Sequence, residues 1–375
     1  MQRPRPHSLI AAGRRPMLEV SLGNHHLCVP VQLDLLYLQF HARPNSDYLR
    51  MWLLSGRCYS RARLDGKTAV VTGANCGIGK STALDFVRRG ARVVLACRDV
   101  KKAKEAADDI RRQTKSSEGA GVVEVVELDL ASLASVRQCA QYLLDTQTHI
   151  HILVNNAGVC YCPKLVTEDG FDMHMGVNHL GHFLLTCLLL PRIIRSGPAR
   201  IVNVASINNY VAKAICFDDL HWEKRRYNNF ASYSESKLAN VLFSAELSRR
   251  LKGTGVNTYS LHPGIVVTEA ARHVSTTWFP GSQWIFENVL VYLFKTCEQG
   301  AQTSIHCAVC EETAHESGLY YSDCKKSTCN PLVNDTELLR KFWEESARLV
   351  GLCDWDPFTA EDTGFLPREI LVGKK

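Results

Sequence analysis

Short apolar runs alternate with helix-length segments from about residue 65 to residue 321, and this alternation limits the fold more than any other feature. The runs are Thr68–Thr72, Arg92–Cys97, Val122–Leu128, Ile150–Val154, Arg200–Ala205, Val256–Leu261 and Gly318–Tyr321. Continuous apolar runs of this length suit strands buried on both faces. Between them lie helical stretches: Lys80–Arg89, stopped by Gly90; Val100–Thr114; Ser132–Asp145; Asp169–Arg195, with Pro191 as a kink or stop; Ala231–Leu251; and Glu298–Glu311. Strands that alternate with helices build a parallel sheet covered on both sides. The expected class is α/β, a doubly wound parallel sheet of about seven strands in a single domain. Such sheets bind ligands beyond the carboxyl ends of their strands.

The residues at those ends carry the chemistry. The first strand leads into Gly73-Ala74-Asn75-Cys76-Gly77-Ile78-Gly79 and then a helix. Glycines let the backbone approach a pyrophosphate, and the helix N-terminus offers free N–H groups and a positive dipole end. The spacing is not Gly-x-Gly-x-x-Gly, but the strand–loop–helix context is that of a Rossmann-type dinucleotide site. The second strand ends in Arg98-Asp99. An acid there bonds a ribose 2′-hydroxyl, whereas an arginine accommodates a 2′-phosphate. Arg98 comes first and Lys80 lies near the loop, which favours NADP(H) over NAD(H). Asp129 closes the third strand, where it suits an adenine amino group. Asn155-Asn156-Ala157-Gly158 close the fourth with small residues that permit close approach. Ser206 closes the fifth, at the edge where its hydroxyl suits a substrate carbonyl.

Tyr233 and Lys237 stand four apart in a helical stretch, and so on one face. A free tyrosine has a pKa of about 10. A cation beside it favours the phenolate, so Lys237 is expected to lower the Tyr233 pKa and make it a usable acid/base.

Together these motifs resemble the short-chain dehydrogenase/reductase family from about Asp65 to Tyr321. The matching residues, in family order, are Thr72-Gly73-x-x-x-Gly77-Ile78-Gly79, Asn155-Asn156-Ala157-Gly158, Asn178, Ser206, Tyr233-x-x-x-Lys237 and His262-Pro263-Gly264 with Thr268. Gly73-Ala74-Asn75, Ala96-Cys97-Arg98-Asp99, Asn178-His179-Leu180-Gly181-His182-Phe183 and Ser236-Lys237-Leu238-Ala239-Asn240 look like its retinol dehydrogenase branch. So does Phe342–Gly351, which looks like that branch's C-terminal helix. The resemblance implies a catalytic tetrad. Tyr233 is the acid/base, Lys237 lowers its pKa and holds the nicotinamide ribose, Ser206 positions the carbonyl, and Asn178 supports a water relay. It further implies cofactor contacts from Gly73, Asn75, Cys76, Gly77, Ile78, Gly79, Arg98, Asp129, Leu130, Asn155, Ala157, Gly158, Tyr233, Lys237, Pro263, Gly264, Val266 and Thr268. The implied reaction is NADP(H)-dependent hydride transfer between an apolar alcohol and its carbonyl, foremost retinol and retinal. The alternatives are a steroid or lipid aldehyde with the same chemistry, and a non-enzymatic NADP-binding protein.

The remaining chain bears on domains and partners. Residues 1–64 lack sustained periodicity and read as an extension; residues 65–325 form the dinucleotide domain and residues 326–375 a C-terminal helix and tail. Nine of the arginines and only four acids fall in residues 1–66, so the net charge of +6 belongs mostly to that extension. A nucleic-acid-binding body is therefore excluded. The branch usually carries an N-terminal membrane anchor. No run of about 20 apolar residues is read here; the candidate Leu27–Phe40 contains Pro30 and Asp34. The patch Tyr48–Leu54, followed by arginines, suits peripheral membrane contact. The expected setting is intracellular, at the endoplasmic reticulum membrane by resemblance, with a homodimer left open. The fifteen cysteines are scattered and read as reduced thiols, with Cys97, Cys139 and Cys187 as small buried groups. Cys307, Cys310, Cys324 and Cys329 come nearest to a zinc pattern, but the first pair falls in a helix and no metal is expected. The charged run Trp222–Arg226 reads as a solvated excursion. The aromatic stretch Trp278–Phe294 reads as an apolar lid.

Overall fold

The computed structural model describes residues 17–22, 25–30, 55–266, 295–367 and 370–371. The chain divides into two units, Met1–Leu54 and Ser55–Lys375. In the first, β1 (Met17–Leu22) pairs antiparallel with β2 (His25–Pro30). Along β1, Leu18, Val20 and Leu22 alternate with Glu19 and Ser21, the period of a strand.

The second unit carries β3 (Thr68–Thr72), β4 (Arg92–Cys97), β5 (Val122–Glu127), β6 (Ile152–Asn155), β7 (Ala199–Val204), β8 (Val256–His262), β9 (Leu319–Ser322) and β10 (Lys325–Ser327). Their order across the sheet is β10-β9-β8-β7-β6-β3-β4-β5. All neighbours are parallel except β10, which turns back antiparallel on β9. The seven expected strands are present. The eighth, β10, is the exposed and polar Lys-Lys-Ser, which has no apolar signal to betray it. The strand order reverses beside β3, between β4 and β6, and this switch point opens the ligand crevice.

The helices are α1 (Gly77–Arg88), α2 (Val100–Thr114), α3 (Leu133–Thr146), α4 (Gly181–Arg195), α5 (Asn229–Arg250), α6 (Cys297–Val309) and α7 (Thr336–Leu349). Side chains of Asp99, Ser132, Asn228, Thr296 and Asp335 cap their starts. One core lies between the sheet and α3, α4, α5 and α7, and the other between the sheet and α1, α2 and α6. Cys97, Cys139 and Cys187 are buried within these cores, and the cysteines from Cys58 to Cys353 are free thiols.

Two helix expectations change. The stretch from Asp169 is not one helix: Asp172 accepts from the amides of His174 and Met175, starting a short turn, and a π-helical turn at Gly176–Leu180 precedes α4. Pro191 does not stop α4, which continues to Arg195 with Leu188, Leu189, Leu190 and Ile193 all buried around it. Packing offsets the one backbone bond that proline removes. Met173–Arg195 is long and apolar enough to cross a bilayer, but it is mostly buried inside the fold, so here it is a core helix.

Both domain edges also move. Residues 55–64 pack onto the domain: Gly56 N donates to Asp323 Oδ1 at 2.9 Å, Cys58 N to Gln302 Oε1 at 3.0 Å, and Arg89 to the carbonyls of Ser60 and Ala62. At the other end, Phe342 and Trp343 of α7 belong to the core. Arg137 donates to the carbonyls of Val350 and Ile370, both at 2.6 Å, and Arg192 pairs with Asp362 at 2.5 Å. The tail is thereby tied to α3 and α4.

Four buried histidines give the fold an acid-sensitive edge. Burial holds His151, His182 and His262 down at about 4 and His179 at about 3. Below the unfolded value of about 6.5 the unfolded chain takes up protons that the folded state refuses. Their contribution is thus present above about 6.5 and is lost as pH falls through it toward 4. The melting temperature is expected to drop steadily between pH 7 and pH 5; a flat profile would contradict these neutral sites.

Candidate active site

Helix α5 presents Tyr233 and Lys237 on one face, beside the carboxyl end of β7. The Lys237 ammonium is 5.7 Å from the Tyr233 ring centroid and donates to the carbonyl of Val204, the last residue of β7, at 3.0 Å. Two residues after that carbonyl, the Ser206 hydroxyl hydrogen-bonds the Tyr233 side chain and accepts from Asn208 N at 3.3 Å. Tyr233, Lys237 and Ser206 are therefore brought together at the end of β7.

Asn178 joins them from the π-helical turn. Its Oδ1 accepts from Val159 N at 2.8 Å, and its Nδ2 donates to Val159 O and Ser236 Oγ. The side chain is thus fully used as a clamp between this turn, the β6 loop and α5. His182 Nδ1 donates to the Asn178 carbonyl at 3.1 Å. That tautomer makes His182 Nε2 an acceptor for the Thr72 hydroxyl at 2.8 Å. Thr72 Oγ1 in turn accepts the amides of Asn156 and Ala157, tying the ends of β3 and β6 together.

The Tyr233 pKa runs against the simple expectation. Burial, followed by Cys160 and Tyr161, pushes the phenol well above its usual value, and the Ser206 hydrogen bond only partly offsets this. Lys237 is itself drawn down to about 8 by burial. Desolvation of the phenolate outweighs a cation that sits over the ring rather than at the oxygen.

The glycine loop builds a cradle. Gly73 and Gly77 have φ of +62° and +58°. A Cβ on Gly73 would lie 2.8 Å from Ala157 Cβ, and one on Gly79 2.5 Å from Asn156 Nδ2. Only glycine fits these contacts, and they leave the loop backbone of Asn75 and Cys76 at the start of α1. Ile78 packs towards Val266 across Gly300, below the loop. The residues present fit a dinucleotide pyrophosphate.

The other expected contacts divide. Arg98 is exposed at the end of β4, while Asp99 accepts from Lys102 N and so serves as the cap of α2. Lys80 turns to Asp109 at 2.7 Å. The Asp129 carboxylate accepts from Ala131 N at 2.9 Å, and the Leu130 carbonyl abuts Gly181. Asn155 points into the core, donating to Thr186 and Asn203, so only its backbone reaches the crevice. Ala157 and Gly158 border it; a Cβ on Gly158 would meet Asn178 Oδ1 and Lys237 Nζ. Pro263 and Gly264 follow β8, with Gly264 at φ +91° against the Lys295 side chain. Thr268, the aromatic lid and the Tyr48–Leu54 patch lie outside the described residues. Among the described residues no group of three potential metal ligands gathers.

Comparison with known proteins agrees with this geometry. The family model described as short chain dehydrogenase matches residues 67–217. The chain is 48% identical over 304 residues to human retinol dehydrogenase 13, covering 81% of this chain and 90% of that one. It is 47% identical to human retinol dehydrogenase 12, covering 81% and 92%. The chain belongs to the short-chain dehydrogenase family, in its retinol dehydrogenase branch. Its fold matches the crystal structure of a gluconate 5-dehydrogenase, titled NAD(P)-dependent, from Beutenbergia cavernae with bound NADP. The TM-score is 0.54 at 28% identity, over 70% of this chain and 96% of that one. As a short-chain dehydrogenase it is an NAD(P)-dependent alcohol dehydrogenase, and the non-enzymatic reading is set aside.

Sequence reasoning misread part of one segment of this dehydrogenase and passed over another. Trp222–Arg226 is solvated at Glu223, Lys224 and Arg226, as expected, but Trp222 and Arg225 turn inward. Arg225 forms a two-pronged bond to Glu235, which lies between Tyr233 and Lys237 on α5, and also pairs with Asp219. Its guanidinium lies 4.0 Å from the Trp222 ring centroid, and Trp222 is buried. Although burial opposes it, amide donors from Lys224 and Arg225 hold the Asp219 carboxyl well below the usual range. Arg225 thus pairs with Asp219 and Glu235, while Glu223, Lys224 and Arg226 stay exposed. Cys160 and Tyr161, which flank Tyr233, carried no sequence signal beyond their place after Gly158.

Proposed function

We propose that this dehydrogenase uses NADPH to reduce a long apolar aldehyde, foremost retinal, to its alcohol. The observation that carries the reading is the meeting of Tyr233, Ser206 and Lys237 at the carboxyl end of β7. The buried phenol is protonated at neutral pH and can give its proton to a carbonyl oxygen that Ser206 holds beside it. Ser206 orients the carbonyl oxygen toward Tyr233 Oη, which gives up its proton there. Lys237 holds the nicotinamide ribose and offsets the charge left on the phenol. The nicotinamide, when bound, supplies the hydride. Exposed Arg98 beside a capping Asp99 supports NADP over NAD. The retinol dehydrogenase relatives and the NADP named with the gluconate dehydrogenase structure support the same reading. Peripheral contact with the endoplasmic reticulum membrane belongs to this proposal.

The test is kcat/KM with NADPH for all-trans-retinal against a panel of steroid ketones and short aldehydes. Retinal is expected to lead by tenfold or more, and equal rates across the panel would sink the assignment. In the same assay Arg98→Ala is expected to erode the preference for NADPH over NADH by about tenfold or more, the size of one hydrogen bond to a charged group. An unchanged ratio would assign the 2′-phosphate to another residue.

A further inference from the structure

Directly after Val159 and Cys160 the backbone does something costly. Tyr161 takes φ +52°, in the left-handed region, where a bulky side chain is strained. Three contacts hold it there. Its hydroxyl accepts from Asn208 Nδ2 at 3.1 Å. Its ring stacks on Phe230 with centroids 5.8 Å apart and planes 13° apart, and it meets the Tyr233 ring at 5.0 Å with a 59° tilt. Asn208 meanwhile donates its backbone amide to Ser206 Oγ. Tyr161 is therefore joined on one side to the proton donor and on the other to the residue that orients Ser206. Strain held by surrounding contacts is found where a site must keep a side chain in one place.

We propose that Tyr161, braced by Asn208 and Phe230, is a specificity-determining wall of the substrate pocket that takes the flat, conjugated end of a long apolar carbonyl compound. This rests on the reading of the enzyme as an apolar-aldehyde reductase. The wall lies within one ring contact of Tyr233, so it borders the carbonyl carbon and the atoms next to it. A conjugated chain offers a π face to an aromatic ring; a saturated chain offers only area. Because Tyr161 is already fixed, little ordering is left to be done on binding. The wall thus favours the conjugated substrate through its ring face.

The test uses the full-chain enzyme with NADPH and two probes, all-trans-retinal and decanal. kcat and KM are measured for each, with NADPH binding followed by fluorescence. Tyr161→Leu keeps apolar bulk and removes the ring. It is expected to lower kcat/KM for retinal by about tenfold, mainly through KM, and to leave decanal within about twofold. Tyr161→Phe keeps the ring and is expected to retain most of the retinal preference. Equal losses on both aldehydes would mean a structural role only, and an unmoved ratio would mean no role; either overturns the proposal. Should Tyr161→Leu fail to bind NADPH, Tyr161→Met makes the same comparison and the same outcomes decide. A wild-type enzyme that reduces neither aldehyde defeats the proposed function and this inference together. A wild type that reduces both, with the ratio unmoved in the variants, defeats this inference alone.

Discussion

Tyr233→Phe is expected to lower kcat for aldehyde reduction by about a thousandfold while NADPH binding stays within a few-fold of wild type. The Tyr233 phenol is bonded to Ser206 and stands protonated at neutral pH. Positioned acid/base groups contribute roughly 10²–10⁴ in rate. Removing only the oxygen leaves the ring in place between Tyr161 and His174, with centroids at 5.0 and 5.9 Å, so the pocket keeps its shape. The glycine cradle and the Lys237 contact to Val204 lie outside the change. Single-turnover reduction and NADPH fluorescence separate the two effects. Turnover within tenfold of wild type would transfer the proton to another donor.

Trp343→Ala is expected to destabilise the domain by about 3–5 kcal/mol, the range for removing a buried large aromatic. Trp343 is buried on α7 and meets Phe183 of α4 at 4.8 Å, Phe243 of α5 at 5.9 Å and Phe358 of the tail at 5.7 Å. The Arg250 guanidinium covers its ring at 4.6 Å. Next to it Phe342 stacks on His179 at 4.8 Å, and His179 Nε2 bonds Ser346 Oγ at 2.8 Å. His179 sits beside Asn178, and α5 carries Tyr233, so α7 braces the two helical segments that hold catalytic groups. Thermal unfolding checks this, with a melting temperature lowered by roughly 10 °C. Trp343→Phe is expected to lose less than half as much. A shift below about 1 °C for Trp343→Ala would make α7 an appendage after all.

Much of this was legible in the chain because it is local. β3, β4, β8 and α2 lie where their apolar runs and caps put them. The glycine loop, Tyr233 with Lys237, and Ser206 at a strand end are read from adjacent residues. The illegible parts depend on which of several possible partners a side chain takes in the fold. Arg225 looked like one charge in a solvated run, since nothing beside it reveals Glu235 across the fold. Asp99 looked like a rival to Arg98 until its bond to Lys102 N showed it occupied as a cap. Asn155 matched a cofactor motif, yet its side-chain nitrogen is spent on Thr186 and Asn203 in the core. Pro191 read as a stop because its lost hydrogen bond is a local fact and the packing around it is not.

The sequence by itself determined the α/β class and the parallel sheet and picked out the glycine loop and Tyr233 with Lys237 as candidates, because periodicity and short motifs act over a few residues. Tertiary structure alone decided the direction of the Tyr233 pKa, the strained stance of Tyr161 and the place of α7 in the core. Each of these follows from burial and from contacts between distant segments, and desolvation is set by everything that surrounds a group rather than by its neighbours in the chain.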